Sequence, residues 1–288
     1  MRYSQIKAFH NVALYGGFSR AAEAIFQTQP ALSEQVRRLE QDHDILMFHR
    51  DKKGVRLTAA GEQMFLMTKR FFEVEQQIEE YLSESGAAVE GQLRIIADSA
   101  HHVTSHLSRF RRRYPNVFVS LHTGNTTEIL NELRTFNAEI GIVGSIDPGH
   151  EFHSVDLGST RITAFSVKGY LPKGITTLSL KDLSNEQLVF REPGSKTRQK
   201  LEEEAQRKNI TLTPALEVEG REAMREVVAA GTGIGFVSEA EFGNDARLVQ
   251  IPLRDTELSM SETMVHMATR RDVRVIRAFM DLAHSSPE

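Results

Sequence analysis

Residues 18–40 constrain the fold of this chain more than any other segment, because their pattern predicts two short helices separated by a tight turn. Ser19 can cap the first helix and Thr28 the second. Pro30 fits the first turn of the second helix, where its missing N–H group costs nothing. The residues expected to face inward recur at helical spacing, and they are Ala21, Ala22, Ile25, Leu32, Val36 and Leu39. The pattern is typical of a helix-turn-helix, although an ordinary helical hairpin would share it.

The outward face of the second helix carries side chains suited to DNA. They are Gln29, Ser33, Glu34, Gln35, Arg37 and Arg38. Amides and hydroxyls can read base edges, whereas guanidiniums can hold phosphates. This composition favours a helix-turn-helix whose second helix enters the major groove.

The flanking residues extend this interpretation. Ile6, Phe9 and Val12 form one apolar stripe, which predicts a helix over residues 4–14. Residues 47–57 read as two short extended arms around a charged turn with Gly54, which is typical of a winged extension. Basic residues of that segment could touch the phosphate backbone, although a solvated hairpin tip is the alternative.

Five segments resemble the N-terminal signature of the LysR-type transcriptional regulators. They are Phe18-Ser-Arg-Ala-Ala, Thr28-Gln-Pro-Ala-Leu-Ser, Val36-Arg-Arg-Leu-Glu, Phe48-His-Arg and Leu57-Thr-Ala-Ala-Gly61. The resemblance implies a ligand-responsive transcription factor with DNA contacts from Thr28, Gln29, Pro30, Ser33, Arg37, Arg50 and Arg56. Within that set, Gln29, Pro30 and Ser33 would meet bases and the arginines would meet phosphates. The chain departs from the family at Glu34, a place that is often basic, and at residues 42–47, which lack the usual glycine.

The charge distribution agrees with DNA binding at one end of the chain. Residues 1–57 carry nine Lys and Arg against six Asp and Glu, whereas the whole chain has a net charge of −4. The N-terminal residues therefore carry a net positive charge, and the rest of the chain carries a net negative charge. The absence of cysteine excludes disulfides and cysteine-ligated metals. No apolar run approaches the ~20 residues that span a bilayer, and the first residues do not read as a signal peptide. We therefore expect a cytoplasmic protein that does not interact with membranes.

Residues 58–82 predict a long helix with an apolar heptad seam. The two series of seam positions are Leu57, Met64, Phe71 and Ile78, and Ala60, Met67, Val74 and Tyr81. This narrow stripe favours a dimeric coiled coil, and a helix packed on its own domain is the alternative. We therefore expect a winged helix-turn-helix domain over residues 1–58 and a linker and dimerisation helix with its hinge over residues 59–90.

From Gln92 onward, strand and helix patterns alternate, which predicts an α/β domain with sheets covered by helices. The resemblance adds the topology, which is a two-lobed effector-binding domain like a periplasmic binding protein, over residues 91–288. The chain would cross between lobes near Thr160 and return near His266. Lobe I would comprise residues 91–161 and 267–288, and lobe II would comprise residues 162–266.

Polar residues follow several predicted strands, where an open sheet binds ligands. Residues at these strand ends that the resemblance and the spacing favour for effector binding are Ser99, Ala100, His101, Thr126, Ser145, Arg191 and Ser195. Hydroxyls, helix N-termini and an arginine favour a small anion, such as a carboxylate or a phosphonate. Helix capping is the alternative for each hydroxyl, and an internal ion pair is the alternative for Arg191.

Other apparent motifs predict neither a metal site nor a bound cofactor. His102 and His106 lie one helical turn apart, but spacing supplies no third ligand, so a surface or capping role is favoured. The glycines of residues 231–235 are misspaced for a dinucleotide loop and run from helix to strand. No catalytic residues are assigned.

Together these patterns predict a ligand-responsive transcriptional regulator. It would bind a partly palindromic promoter site as a homodimer or homotetramer, assembled through the linker helix and the effector domain. RNA polymerase is a further partner that this role allows. The alternative is an α/β enzyme with an accessory DNA-binding head, for which Ser99 and His101 would be the pair to test. Residues 2–10 and 99–103 also resemble regulators associated with aminoethylphosphonate catabolism.

Overall fold

The computed structural model describes residues 1–51, 54–82, 89–144 and 149–284. The chain divides into two compact units, Met1–Ala87 and Ala88–Glu288. The first unit is mostly helical, and the second combines helices with strands.

The N-terminal unit is a helix-turn-helix with a β-hairpin wing and a long following helix. Its elements are α1 (Tyr3–Leu14), α2 (Phe18–Ala24), α3 (Gln29–His43), β1 (Phe48–Asp51), β2 (Gly54–Leu57) and α4 (Ala59–Leu82). Phe9, Leu32 and Leu39 form the centre of its core, and none of them is more than 1% exposed. The predicted winged helix-turn-helix is therefore confirmed.

The two central helices begin in different ways. Helix α2 begins at Phe18 with Gly17 at its N-cap and no side-chain cap, so the capping role predicted for Ser19 is wrong. Ser19 already lies inside the first turn, whereas a capping residue must precede the helix. Thr28 does cap α3, because its Oγ1 accepts a hydrogen bond from Ala31 N at 3.4 Å.

The segment that lacks the family's glycine still turns into the wing. Asp44 ends α3 in the left-handed conformation at φ 51°, which an Asp tolerates better than most residues. The buried carboxylate of Glu40 then accepts hydrogen bonds from the backbone N–H groups of Met47 and Phe48 at 2.9 and 3.2 Å. These two bonds fix the start of β1.

Helix α4 packs closely against the segment that enters the wing. The Thr58 hydroxyl accepts a hydrogen bond from Gly61 N at 3.0 Å and donates one to Leu46 O at 2.7 Å. A Cβ atom on Gly61 would lie 2.1 Å from the carbonyl oxygen of Met47. Only glycine therefore permits this approach of the helix.

One face of α4 exposes a row of apolar side chains. Met67, Phe71, Val74 and Ile78 are 62, 44, 53 and 54% exposed. Leu57, the first predicted seam position, lies in β2 instead and packs with Met64 against the N-terminal core. The seam on the helix therefore begins after Met64. The side chain of Tyr81 and residues 83–88 of the predicted hinge lie outside the described residues.

The C-terminal unit alternates strands and helices, as predicted. Its elements are β3 (Gln92–Ala97), α5 (Thr104–Arg113), β4 (Phe118–Thr123), α6 (Thr126–Arg134), β5 (Ile140–Gly144), β6 (Phe152–Val167), α7 (Leu180–Leu183), β7 (Leu188–Arg191), α8 (Lys196–Arg207), β8 (Pro214–Val218), α9 (Arg221–Ala229), β9 (Gly235–Ser238), α10 (Glu239–Phe242), β10 (Leu248–Ile251), β11 (Ser259–Met267) and α11 (Arg274–His284). Short 3-10 helices cover Ala100–His102 and Ala268–Arg270.

Two long antiparallel strands join the lobes of this unit. Strands β6 and β11 pair from Arg161 opposite Ser259 to Phe152 opposite Met267. Strand β11 also pairs with β5, which belongs with the parallel strands β3 and β4, whereas β6 continues to pair with β9 and β10. Residues 153–161 of β6 are mostly exposed and contain no apolar run, so the sequence pattern alone does not reveal this half of the strand.

Each lobe has its own core. Phe110, Ile140 and Phe279 are buried in one lobe, and Phe190 and Ile234 are buried in the other. Strands β7 and β8 form a separate parallel pair in the second lobe. The α/β fold with two lobes is therefore confirmed, and the ends of its strands position the cleft.

Candidate functional site

The start of α3 presents the residues predicted to read bases. Gln29 and Pro30 are exposed, and Ser33 is half-buried one turn further along. Thr28 is exposed, but its hydroxyl is engaged in capping α3. The exposed amide of Gln29 therefore offers both a donor and an acceptor, which is the chemistry that reads base edges.

Glu34 organises two arginines on the same helix. Its carboxylate accepts hydrogen bonds from Arg37 Nε at 2.9 Å and Arg38 Nε at 2.7 Å. The hydrogen bonds from Arg38 and Arg37 lower the pKa of Glu34. An acidic residue at this position therefore orients the two guanidiniums, and both remain more than half exposed.

The wing contributes a further predicted phosphate contact. Arg56 is exposed on β2, directly opposite His49 of β1. The side chain of Arg50, together with Lys52 and Lys53, lies outside the described residues.

A cavity of about 550 Å³ lies between the two lobes of the C-terminal unit. Its lining residues follow strands of both lobes, and they are Asp98, Ser99, Ala100, Thr123, Gly124, Asn125, Glu128, Arg191, Glu192, Glu219, Gly220, Arg221, Glu222 and Ala223. Its volume lies in the range of pockets that hold small molecules. Three residues predicted from the sequence, Ser99, Ala100 and Arg191, belong to this lining.

The first-lobe side of the cavity is built from two helix starts. Ser99 Oγ accepts a hydrogen bond from His101 N at 3.2 Å and caps the 3-10 helix. Asn125 and Glu128 cap α6 reciprocally, because each side chain accepts a hydrogen bond from the other's backbone N–H group. The Ser99 hydroxyl can still donate its own hydrogen to a ligand.

The hydroxyls of Thr126 and Ser195, both predicted effector contacts, are not part of the lining but lie next to it. Thr126 and Ser195 are each 2% exposed, and within the described part of the chain neither hydroxyl has a hydrogen-bond partner. The turn before Ser195 approaches α6 closely, since a Cβ atom on Gly194 would lie 2.9 Å from Asn125 Oδ1. Both hydroxyls can therefore serve a polar group that enters from the cavity.

His101, another predicted effector contact, is not part of the lining. His101 is exposed, and its ring contacts the ring of His102 edge-on. Ser145 lies outside the described residues.

Arg191 is balanced by acidic residues of the protein. Its guanidinium lies 3.2 Å from Asp98 Oδ1 and 2.8 Å from Glu192 Oε1. Burial lowers the pKa of Arg191, but the hydrogen bond with Glu192 and the charge of Asp98 outweigh burial and raise it. The structure therefore shows the internal ion pair, and the charge of Arg191 is not free for an anionic ligand.

The turn between β8 and α9 holds none of the residues that the sequence analysis singled out. Glu219, Arg221 and Glu222 come from this turn and complete the second-lobe side of the cavity. They follow a strand and open a helix, so the strand-end rule applied elsewhere could have found them. The complete lining carries five carboxylates and two guanidiniums, which disfavours a ligand that is only anionic.

A second polar cluster lies behind Arg221. His102 Nε2 lies 3.0 Å from Glu241 Oε1 and 3.7 Å from Glu262 Oε1. The surface or capping role predicted for His102 is therefore wrong, because its side chain is only 11% exposed and contacts Glu241 of α10. Burial and the charge of Glu241 raise the pKa of Glu262 to about 7.

Family matches cover nearly the whole chain. Residues 3–62 match "Bacterial regulatory helix-turn-helix protein, lysR family", and residues 86–287 match "LysR substrate binding domain". The chain therefore belongs to the LysR family of DNA-binding, effector-responsive transcriptional regulators. Among its helices, in the ranges that the structure describes, none is long and apolar enough to cross a membrane.

Individual relatives agree with this assignment. The activator CmpR of Synechocystis sp. is 26% identical over 236 residues, which cover 81% of this chain and 78% of CmpR. The regulator CbbR of Sinorhizobium medicae is 26% identical over 300 residues, which cover 98% of this chain and 92% of CbbR. Both relatives are transcriptional regulators.

Solved structures show the same fold. A full-length OxyR variant from Pseudomonas aeruginosa matches with a TM-score of 0.78 at 19% identity, covering 100% of this chain and 99% of OxyR. Full-length CbnR in complex with its target DNA matches with a TM-score of 0.68 at 18% identity, covering 98% of each chain.

Proposed function

We propose that this protein binds a partly palindromic promoter site as a dimer or tetramer and changes its DNA binding when a small molecule occupies the interlobe cavity. The observation that carries this proposal is a cavity of about 550 Å³ lined by strand ends of both lobes. A ligand that touches both lobes binds one arrangement of them more tightly than another. This difference in affinity is what shifts the population of states.

We assign residues 1–58 to DNA binding, residues 59–90 to the linker and residues 91–288 to effector binding. Lobe I comprises residues 91–161 and 267–288, and lobe II comprises residues 162–266. Support comes from the start of α4 at Ala59 and from the long strands β6 and β11, which run through both lobes.

In the DNA complex, Gln29, Pro30 and Ser33 contact bases at the start of α3, and the Thr28 cap holds that helix end against the groove. Arg37, Arg50 and Arg56 contact phosphates. The exposure of Gln29 and Arg56 supports these roles.

The test compares Gln29→Ala with Arg56→Ala on the preferred duplex and on a scrambled one, by fluorescence anisotropy over a range of salt. Gln29→Ala should cost about 1–3 kcal/mol on the preferred site and little on the scrambled one. Arg56→Ala should weaken both and lower the salt slope by ~1. Gln63→Ala, an exposed position on α4, serves as the control. An unchanged ratio of specific to nonspecific affinity in Gln29→Ala would exclude this placement of α3.

The cleft lining favours an effector with both an acidic and an amino group. The Ser99 hydroxyl and the N–H groups at the start of α6 suit the acidic group, with the buried hydroxyls of Thr126 and Ser195 behind them. Glu219 and Glu222 are exposed at the opposite side of the cavity and suit the amino group. Such a zwitterion agrees with the net negative lining better than a simple carboxylate does.

Aminoethylphosphonate is the first compound to test, because residues 2–10 and 99–103 resemble regulators associated with its catabolism. Thermal-shift and calorimetric titrations should compare it with ethylphosphonate, ethylamine, phosphate and small carboxylates. Ser99→Ala should raise the effector's Kd about 3- to 30-fold, as expected for a lost hydrogen bond to a charged group. Ser105→Ala, an exposed serine on α5, should leave it unchanged. A ligand found outside the interlobe cavity would overturn the proposal.

A further inference from the structure

His102, Glu241 and Glu262 form a compact set of ligand atoms behind the effector cavity. One nitrogen or oxygen atom from each lies within 4.8 Å of the others. His102 ends the 3-10 helix of the first lobe, Glu241 lies in α10 of the second, and Glu262 lies on β11. Three separate parts of the fold therefore converge on one point.

Glu262 is an unusual member of this set because it is buried without a hydrogen bond. The residue is 4% exposed, and neither carboxylate oxygen has a hydrogen-bond partner within the ranges described. A buried carboxylate without partners is costly, so some group should compensate it. Glu262 also borders an irregularity in the pairing of β11 with β6, and such bulges redirect side chains.

The charges connected to this cluster do not balance. Four carboxylates, of Asp98, Glu192, Glu241 and Glu262, face two guanidiniums, of Arg191 and Arg221. This buried network therefore holds more carboxylates than guanidiniums, and a bound cation would offset the excess.

We propose that His102, Glu241 and Glu262 bind a divalent transition-metal ion, with zinc as the ion to test first. An imidazole nitrogen and carboxylate oxygens at about 2.0–2.2 Å are ordinary zinc ligands, and three protein ligands leave a position for water. Ser238 Oγ donates a hydrogen bond to Glu241 Oε2 at 2.8 Å, and Oε1 contacts both His102 and Arg221. Such outer contacts orient metal ligands.

Arg221 links this site to the cavity. Its guanidinium contacts Glu241 and lies 3.4 Å from Asp98 Oδ2. A metal ion bound to Glu241 takes over the neutralising role of Arg221 there and leaves the guanidinium with Asp98. The site therefore accommodates the ion without leaving Arg221 unpaired.

The test is a calorimetric titration of the chelator-treated full-length protein with zinc chloride. One saturable site per chain and a rise in the unfolding temperature are expected, whereas magnesium chloride should give neither. Glu262→Gln keeps the side-chain size but removes the charge, and it should weaken zinc binding at least about 10-fold. Glu239→Gln on the same helix α10 and His101→Gln beside His102 are matched controls that should bind zinc normally. Equal zinc affinity in Glu262→Gln and the wild-type protein would overturn the proposal.

Anomalous diffraction from zinc-soaked crystals of the wild-type protein provides a measurement that does not depend on a variant folding. A peak between the three side chains is expected. Zinc bound only elsewhere, or no peak at all, would overturn the proposal.

Discussion

The carboxylate of Glu139 joins distant residues of the first lobe. It accepts hydrogen bonds from the backbone N–H group of Arg94 at 2.6 Å and from the Arg270 guanidinium at 3.1 Å. Burial raises the pKa of Glu139, but the hydrogen bonds from Arg94 outweigh burial and lower it. One side chain therefore holds β3 beside the segment that precedes α11.

Glu139→Gln should destabilise the C-terminal unit by about 3–5 kcal/mol, because the buried carboxylate that accepts hydrogen bonds from Arg94 and Arg270 would lose its charge. Urea unfolding followed by circular dichroism measures the loss. The control is Glu257→Gln, which removes an exposed ion pair with Arg161 and should cost less than about 1 kcal/mol. Similar losses in the two variants would contradict the structural importance of the buried pair.

His10 makes the stability of the N-terminal unit depend on pH. A ring nitrogen lies 3.0 Å from Thr68 Oγ1, and burial together with the charge of Lys69 lowers the pKa of His10 to about 4. Because this pKa lies below the unfolded value, the stabilisation is complete above about pH 6.5 and is lost as the pH falls towards the folded value.

The loss of stability of this unit between about pH 7 and about pH 5 should therefore be smaller in His10→Gln than in the wild-type protein. Urea unfolding at both pH values measures it. His43→Gln, at an exposed position of α3, should behave as wild type. If His10→Gln retained the full pH dependence, protonation of another group would be responsible.

At the scale of elements, Gly61 decides how closely α4 can approach the wing. The 2.1 Å separation between an added Cβ and Met47 O means that the helix or the backbone before β1 must move. Gly61→Ala should therefore lower the stability of the N-terminal unit by about 1–3 kcal/mol, as overpacking does. Thermal unfolding checks this.

Gly17→Ala is the matched control in the same unit. Gly17 has an extended backbone, and its added Cβ would make only ordinary contacts with Arg20 at 3.7 Å. The interpretation of Gly61 requires a clearly larger loss of stability in Gly61→Ala than in Gly17→Ala.

At the scale of the whole molecule, we expect the exposed apolar face of α4 to form a dimer interface. Phe71→Glu combined with Ile78→Glu would place like charges across a two-fold axis and should remove dimerisation through α4. Light scattering reports the assembly, and DNA affinity should fall in parallel, because a palindromic site is read by two subunits.

Gln63→Glu combined with Gln76→Glu adds the same charge to α4 outside the apolar row and should leave both properties near wild type. Association through the C-terminal units can persist in the Phe71 and Ile78 variant. DNA binding equal to wild type in that variant would contradict the interface.

The local features of this protein were predictable from its sequence. The helical spacing of Leu32, Val36 and Leu39, the Thr28 cap and the alternation of strands and helices after Gln92 depend on residues that are neighbours along the chain. Ser99, Ala100 and Arg191 line the cavity because each lies at or just after the end of a strand, where open sheets bind ligands.

Contacts between distant residues were decided by the tertiary structure alone. The crossing of β6 and β11 brings Glu241 to His102 across 139 positions and sets Arg191 beside Asp98 across 93. The periodicity of neighbouring residues in the sequence does not reveal such pairs, because they depend on how the lobes pack. For the same reason, the spacing of His102 and His106 could not reveal the partners of His102, which the fold brings from α10 and β11.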